Sequence, residues 1–398
     1  MRGRTGGVLG LLAVATSWGL FWGGWAALIP DLQAALGLDT RGLGLSLFAV
    51  PVAAVPAMVF TGRLADRFAQ HTLPAATAVF AAGITLTAFA GSVPVFVVAL
   101  LLVGAGSGAI EVALNATTAA HEARDGVRLF NKVHAATPLA MVLAGPAAGL
   151  ARQLDVSRQA VLLVVAALVL VSAALAVDPR GWRGAGAPGE PTAVAVDSSP
   201  RWLRPLLLVG GVAAMVLLME NAVEQWGALH LRQQLGAGPL LGSAGPAAYM
   251  AGLSAGRMLA QWKGELFGEP ALVRVGAVLG GCGLAVAAFA GLPAVALAGF
   301  ALAGIGLAPV VPTLLAAVGR AVDPRRRSTA ISVVTTTAYA GFLASPPLVG
   351  LLAAAIGLPP ALGVVAGLAL AVVAGAHALR LLPQPDRHSA EVTPPTLS

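Results

Sequence analysis

The sequence predicts an all-α membrane protein with twelve transmembrane helices, arranged as two parallel six-helix repeats around a central cavity. The first observation behind this fold class is composition. Of the 398 residues, 58% are hydrophobic and only 10% are charged, whereas a soluble domain carries about a quarter charged residues. The second observation is a series of twelve apolar stretches, each close to the roughly 20 residues that a bilayer crossing needs. The third is an internal repeat that relates the two halves of the chain.

The apolar stretches are continuous, which is typical of helices and not of the alternating strands of a membrane barrel. The first one follows a basic start like that of a secretory signal, but its apolar run continues as far as Pro30, so we expect it to be retained as a span. The expected spans are 7–29, 43–61, 72–90, 95–120, 133–151, 159–177, 205–226, 243–261, 271–290, 294–318, 329–352 and 359–382.

The basic residues are distributed unevenly between the two sides of these spans. Only four of the 24 Lys and Arg residues fall in the odd-numbered links, namely Arg41, Arg152, Arg158 and Arg232. Because Lys and Arg are retained on the cytoplasmic side, this bias predicts that both termini are cytoplasmic. The expected location is the bacterial plasma (inner) membrane.

One link is much longer than the others and divides the chain. Residues 178–204 are rich in Gly, Pro, Ala and Ser, a composition that favours a flexible cytoplasmic linker. The expected organisation is therefore an N-terminal six-helix bundle (1–177), this linker, a C-terminal six-helix bundle (205–382) and a cytoplasmic tail (383–398).

The two halves share short sequence motifs. GRLADR at 62–67 corresponds to GRMLAQ at 256–261, and WAALIPDLQAALG from Trp25 corresponds to WGALHLRQQLG from Trp226. Parallel six-span repeats are related by an axis along the membrane normal and place a substrate cavity between them.

The link after span two reads GRLADRFAQH. It resembles the G-x-L-a-D-R-x-G-R-R/K motif of the major facilitator superfamily, although its last three residues depart from that pattern. The resemblance implies the major facilitator fold and a cytoplasmic gating motif that includes Gly62, Asp66 and Arg67.

Other segments resemble particular branches of that superfamily. GAIEVALNATTAAHEARDGVRLFNKVHA, ENAVEQW and GFLASPPLVG resemble the YbjJ-type inner-membrane permeases, which lie near the fucose-permease-like sugar:proton symporters. GPAAG at 145–149 partly resembles the GPxxG motif of proton-driven antiporters.

Three of the 17 acidic residues, Glu111, Glu220 and Glu224, lie inside expected spans. An ionisable group at the centre of a membrane helix costs at least about 2.5–3.5 kcal/mol, so each is a candidate for binding protons or substrate. Asn115 lies one turn from Glu111 on the same helix face. The alternative for Glu111 and Asn115 is a structural hydrogen bond to a neighbouring helix.

Glu220 and Glu224 are four residues apart and therefore lie on one face of span seven. Two carboxylates this close in a medium of low dielectric are not expected to be ionised together at pH 7. The alternative for Glu224 is simple hydration near the span end.

Four further side chains are candidates for the same site. Trp22 and Trp25 belong to an aromatic stripe on span one that could stack on a ligand or only pack and anchor the helix. Tyr339 and the hydroxyl residues on the same face of span eleven could line the cavity or could bond only to their own helix. His134 could exchange protons near neutral pH or bond locally at the interface.

These residues predict a secondary active transporter of a small organic solute that works by alternating access and is coupled to protons, with efflux preferred. The alternatives are a proton-coupled importer of a sugar or other polar metabolite, and a non-transporting membrane receptor or assembly factor. An enzyme is not expected, because the chain has no GK[ST] phosphate loop, no HExxH motif and no cysteine cluster.

The expected partners are the solute, protons and membrane lipid, without nucleic acid and without a cofactor or metal, and we expect a monomer. The single cysteine, Cys282, excludes an internal disulfide and is expected to be packed among apolar residues.

Overall fold

The computed structural model describes residues 2–126, 128–177, 200–263, 268–322 and 326–382. Within these ranges the side chains of 2–6, 63–69, 200–202, 263 and 328 fall outside the description. Most of the expected linker and the whole expected tail therefore lie outside the described residues.

All the regular secondary structure of the described residues is helical, which confirms the all-α fold class. Thirteen α-helices and one short 3-10 helix, Ala376–Leu381, follow one another along the chain. The α-helices are α1 (Arg2–Leu36), α2 (Thr40–Leu47), α3 (Ala49–Ala88), α4 (Val93–Asp125), α5 (Phe130–Gln153), α6 (Arg158–Leu175), α7 (Pro200–Gln233), α8 (Pro239–Lys263), α9 (Glu269–Phe289), α10 (Pro293–Leu307), α11 (Val310–Ala321), α12 (Arg327–Ile356) and α13 (Leu358–Gly375).

Eleven helical segments of the described chain are long and apolar enough to cross a membrane. Helix α8, with 25 residues, is the counterpart of expected span eight and lies outside that set of eleven. The structure is thus that of a multi-pass helical membrane protein.

The helix bounds differ from the expected spans in three ways. Span two is divided at Phe48, because α2 ends at Leu47 and α3 begins at Ala49. Helix α3 continues through the expected link at 62–71 and so joins spans two and three. Span ten is divided, because α10 ends at Leu307 and α11 begins at Val310. Pro309 lies in the gap, where its missing N–H and fixed φ interrupt the helical hydrogen bonds.

The expectation for Cys282 is wrong. Its thiol is exposed on α9 and is not packed. The glycines on either side of it, Gly281 and Gly283, are the buried residues of this segment, so the helix turns its small residues inward and Cys282 outward.

Equivalent helices pack together in the two halves of the chain. In the first half α1 packs against α5 and α6, and α3 packs against α4 and α6. In the second half α7 packs against α12 and α13, and α9 packs against α10 and α13. We name these groups the N bundle (α1–α6) and the C bundle (α7–α13).

The two bundles meet through pairs of small residues. On α2, a Cβ added to Gly44 would lie 2.5 Å from the Pro346 carbonyl oxygen of α12 and 2.9 Å from Gly350 Cα. On α5, a Cβ added to Gly149 would lie 2.7 Å from the Pro239 carbonyl oxygen of α8. The α2–α12 and α5–α8 contacts are related by an offset of about 200 residues, as parallel repeats require.

Helix packing inside the C bundle generates a prediction for stability. A Cβ added to Gly306 on α10 would meet the Gly280 backbone nitrogen and lie 2.7 Å from the Gly276 carbonyl oxygen of α9. We expect Gly306→Ala to lower the free energy of unfolding by about 1–3 kcal/mol, because backbone atoms must move apart. Thermal unfolding of the purified protein in detergent measures the loss.

The matched control is Gly367→Ala on α13, where an added Cβ has nothing within 4 Å. Alanine is the better helix former by about 1 kcal/mol, so this variant should unfold at the same temperature as the parent or slightly higher. Equal behaviour of the two variants would contradict the close α9–α10 packing.

Candidate functional site

A central cavity of about 480 Å³ lies between the two bundles. The N bundle contributes residues of α1 to α5 to its wall, and the C bundle contributes residues of α7, α8, α11 and α12. Most of the wall is apolar. Its polar and acidic side chains are Ser107, Glu111, Thr137, Glu220, Asn221, Glu224, Gln225, Thr335 and Tyr339.

Glu111 and Tyr339 connect the bundles across the cavity. The Tyr339 hydroxyl on α12 donates a long hydrogen bond of 3.4 Å to Glu111 Oε1 on α4. Both side chains are half-buried and line the cavity. Two expected site residues from opposite halves of the sequence are therefore in contact.

One face of α7 supplies the densest polar cluster. Glu220, Asn221, Glu224 and Gln225 all line the cavity, because residues three and four positions apart share a helix face. Asn221 is only 1% exposed, and within the described ranges its Oδ1 has no hydrogen-bond partner. The Gln225 side chain accepts a hydrogen bond of 3.3 Å from Trp25 Nε1 on α1.

Aromatic rings of α1 form the opposite wall. Trp18, Trp22 and Trp25 all line the cavity. Trp18 Nε1 donates a hydrogen bond of 2.9 Å to Ser107 Oγ on α4. Phe21, on the buried side of α1, contacts both Trp22 and Trp25 at centroid distances of 5.0 and 5.6 Å, which fixes the stripe in place.

Two expected site residues do not line the cavity. Asn115 Oδ1 lies 3.0 Å from His134 Nε2, so these two side chains pair with each other between α4 and α5. His134 is exposed and stacks on Phe130 at a centroid distance of 5.5 Å. The pair lies beyond the cavity wall, one turn past Glu111 along α4.

The expected gating motif is only partly described. Gly62 is exposed within the continuous helix α3. The side chains of Asp66 and Arg67 lie outside the described residues. Their gating role therefore stays a prediction.

An ion-pair cluster at one end of the bundles was missed by the sequence reasoning. Asp31 on α1 contacts Arg152 on α5 at 2.5 Å and Arg232 on α7 at 2.6 Å. The Asp31 side chain is only 12% exposed. Gln33 and Gln233 add a hydrogen bond of 2.9 Å beside it.

A signal for this cluster was present in the charge distribution. Arg152 and Arg232 are two of the four basic residues on the side that is poor in Lys and Arg. Asp31 and Arg232 also occupy equivalent positions of the repeated segments that begin at Trp25 and Trp226. Residues at equivalent positions of parallel repeats approach each other near the axis that relates the bundles.

The cavity is closed at the end that holds Asp31 and exposed at the other end. Met250, Ser254 and Arg257 follow one another at helical spacing on one face of α8. Met250 lies in the cavity wall, and Ser254 and Arg257 are exposed. On α12, Thr335 likewise lies in the wall and Ser332 is exposed. An opening therefore lies beside the even-numbered links.

Two helical bundles around a central cavity that is closed at one end form the architecture of a membrane transporter. The family model of the Major Facilitator Superfamily matches residues 8–247 and 211–396. The chain belongs to that superfamily, which confirms the resemblance of the GRLADR link. The closer resemblance to YbjJ-type permeases stays a prediction.

Relatives and a solved structure agree with this family. The chain is 28% identical over 367 residues to an uncharacterized MFS-type transporter of Yersinia pestis, covering 91% of this chain and 92% of the relative. It is 25% identical over 350 residues to the membrane protein MosC of Rhizobium meliloti, covering 86% and 83%. The crystal structure of the nucleoside transporter NupG superposes with a TM-score of 0.78 at 13% identity, covering 94% of this chain and 98% of that one, and shows the shared fold.

The ion-pair cluster generates a prediction for the closed end. We expect Asp31→Asn to weaken the closed arrangement by about 1.5–3 kcal/mol, because charged hydrogen bonds from Arg152 and Arg232 are lost and the two cations then repel. Spin labels on exposed Ala35 of α1 and Gln234 after α7 should give a longer and broader distance distribution in pulsed electron resonance.

The labels are attached to cysteines introduced at these two positions in a Cys282→Ser background, and the control is Asp39→Asn in that background. Asp39 caps α2 by accepting a hydrogen bond of 2.6 Å from the Gly42 N–H, and it is exposed. Asparagine caps a helix about as well as aspartate, so this variant should keep the parent distances. An unchanged distribution in Asp31→Asn would show that the cluster does not hold this end closed.

Proposed function

We propose that the protein is a secondary active transporter that moves a small organic solute by alternating access, is coupled to protons and favours efflux. The observation that carries this proposal is the position of Glu111, Glu220 and Glu224. All three acidic residues of the expected spans line one cavity between the bundles. Carboxylates inside a membrane bundle are expensive and mark ion or proton pathways.

The contacts of these carboxylates support proton coupling. Glu111 accepts its hydrogen bond from Tyr339 of the other bundle, so its protonation bears directly on a contact between the halves. Glu220 and Glu224 lie one turn apart on α7, where two charges repel. A proton on either member removes that repulsion and changes the charge of the cavity.

The direction of transport rests on two features. The cavity wall is largely apolar and aromatic, which suits an organic solute taken from the cell interior. Gly145 and Gly149 of the GPAAG segment lie against α8, so the segment that resembles the antiporter motif forms part of the contact between the bundles. Small residues at such a contact let the helices slide and rock.

The orientation follows from the distribution of charge. With the basic even-numbered links in the cytoplasm of a bacterial inner membrane, the closed end faces outward and the cavity is accessible from the cytoplasm. This arrangement is the inward-open state of the cycle. The Asp66 link would then form the latch of the opposite, outward-open state.

The first functional prediction concerns the carboxylates. A thermal-shift screen against sugars, nucleosides, amino acids and amines identifies a solute, since a bound solute raises stability by mass action. Glu111→Gln or Glu220→Gln should then abolish uptake of that solute driven by a proton gradient in proteoliposomes. The variant proteins should remain folded in the membrane, because glutamine keeps the size of the side chain.

Glu269→Gln is the matched control, because Glu269 pairs with Arg320 at the start of α9 and lies away from the cavity. This variant should transport at the parent rate. Full proton-driven flux in both cavity variants would remove the coupling role from Glu111 and Glu220.

The second functional prediction concerns direction. In inverted membrane vesicles, acidification of the lumen should drive accumulation of the solute, because an antiporter exchanges lumenal protons for external solute. Right-side-out vesicles with an inward proton gradient should show no such accumulation. The reverse result would favour a proton-coupled importer of a polar metabolite.

A further inference from the structure

The charged side chains that line the cavity are all acidic. Glu111, Glu220 and Glu224 line it, and no Lys, Arg or His side chain among the described residues does so. Outside the wall, Arg257 acts on Glu220 from its exposed position on α8. A ligand that enters this cavity therefore meets acceptors and negative charge.

The three carboxylates differ in how far the protein itself satisfies them. Glu111 has the Tyr339 hydroxyl, and Glu220 has the positive charge of Arg257 on α8 acting on it. Glu224 has no hydrogen bond or ion pair within the described part of the chain, and the charged group that acts on it is Glu220. Glu224 is thus the carboxylate left for a ligand.

Asn221 supplies an independent indication at the same place. It lies three residues before Glu224 on the cavity face of α7, and it is 1% exposed. Its carboxamide oxygen has no donor among the described residues, although buried polar atoms are nearly always hydrogen-bonded. A carboxylate beside an unpaired amide oxygen matches a group that only donates hydrogen bonds, and an ammonium group is such a donor.

The aromatic wall indicates what the ammonium group is attached to. The N–H groups of Trp18 and Trp25 already donate to Ser107 and Gln225. The rings of Trp18 and Trp22 are half-buried in the wall and offer π faces and apolar edges to a ligand, whereas Trp25 is 2% exposed and stacks on Phe21 and Phe96. Such faces bind cations and flat apolar bodies.

We infer that the cavity binds an organic cation, a protonated amine on a small aromatic or apolar body, with its ammonium group between Glu224 and Asn221. This inference rests on the proposed function only in taking the cavity as the transport site. The volume of about 480 Å³ falls within the usual range for small-molecule sites. An anionic solute would find no cation in the wall to pair with.

Equilibrium binding without any gradient tests the inference. The probes form two matched sets, and each set combines one apolar body with an amine, an alcohol or a carboxylate. The aromatic set is 2-phenylethylamine, 2-phenylethanol and phenylacetate. The saturated set is cyclohexylmethylamine, cyclohexylmethanol and cyclohexylacetate. Isothermal titration of the purified full chain in detergent at pH 7.5 should show the amine of at least one set binding at least about tenfold more tightly than its alcohol. The carboxylates should not bind.

Variants locate the ammonium group. Glu224→Gln and Asn221→Leu should each weaken amine binding about tenfold or more, whereas Asn221→Asp should strengthen it by adding negative charge. Glu269→Gln should bind like the parent. The unfolding temperature of each variant separates lost binding from lost folding.

Two results overturn the inference: equal or tighter binding of an alcohol or carboxylate than of its amine, or no binding of either amine. Neither result contradicts the proposed transport function. Proton-driven flux of a neutral solute would still support a transporter and would contradict only the inference that the ligand is a cation. Conversely, amine binding that depends on Glu224 with no flux in proteoliposomes would support the site and contradict transport.

Discussion

The structure depends on close packing between the N and C bundles being concentrated at the end that holds Asp31. Asp31 provides the electrostatic part of this contact, because one carboxylate holds an arginine from each bundle. The close approach of Gly44 to Gly350, and of Gly149 to α8, provides the packing part. Away from this end the bundles are separated by the cavity and connected across it by the Glu111–Tyr339 hydrogen bond, and the far end of the cavity is accessible.

Such a contact suits a carrier because it is made of parts that separate without unfolding. Glycine contacts bury backbone against backbone with no side chains to interlock, so two helices part without repacking either bundle. The ion pairs at Asp31 are polar and lie at the end of the helices, where water replaces them when the bundles separate. Each bundle keeps its own packed interior through either movement.

The charge of the cavity and the movement of the bundles are connected through individual side chains. Glu111 belongs to the N bundle and its hydrogen-bond donor, Tyr339, belongs to the C bundle. Trp25 and Gln225 make a second polar contact of this kind near the closed end. A proton or a cationic ligand of the kind proposed above would therefore act on groups that also join the halves, which is the requirement for coupling binding to a conformational equilibrium.

The sequence by itself determined the helical fold, the family, and the three acidic residues of the cavity wall. These properties are local, since hydropathy over about 20 residues identifies a span and the cost of an ionisable group in lipid requires it to face the interior. For two further residues the surroundings could not be predicted, because helix periodicity names a face and not its neighbours. Asn115 shares a face with Glu111 yet pairs with His134, and Cys282 sits among glycines yet faces outward.

Only the tertiary structure decided which end of the bundles is closed, that Asp31 joins Arg152 to Arg232, and that Asn221 lies buried with an unpaired oxygen beside Glu224. Each of these facts depends on contacts between residues far apart in the chain. The physical reason is that pairing between bundles depends on the position of one rigid body against another, and no local pattern of residues encodes that position.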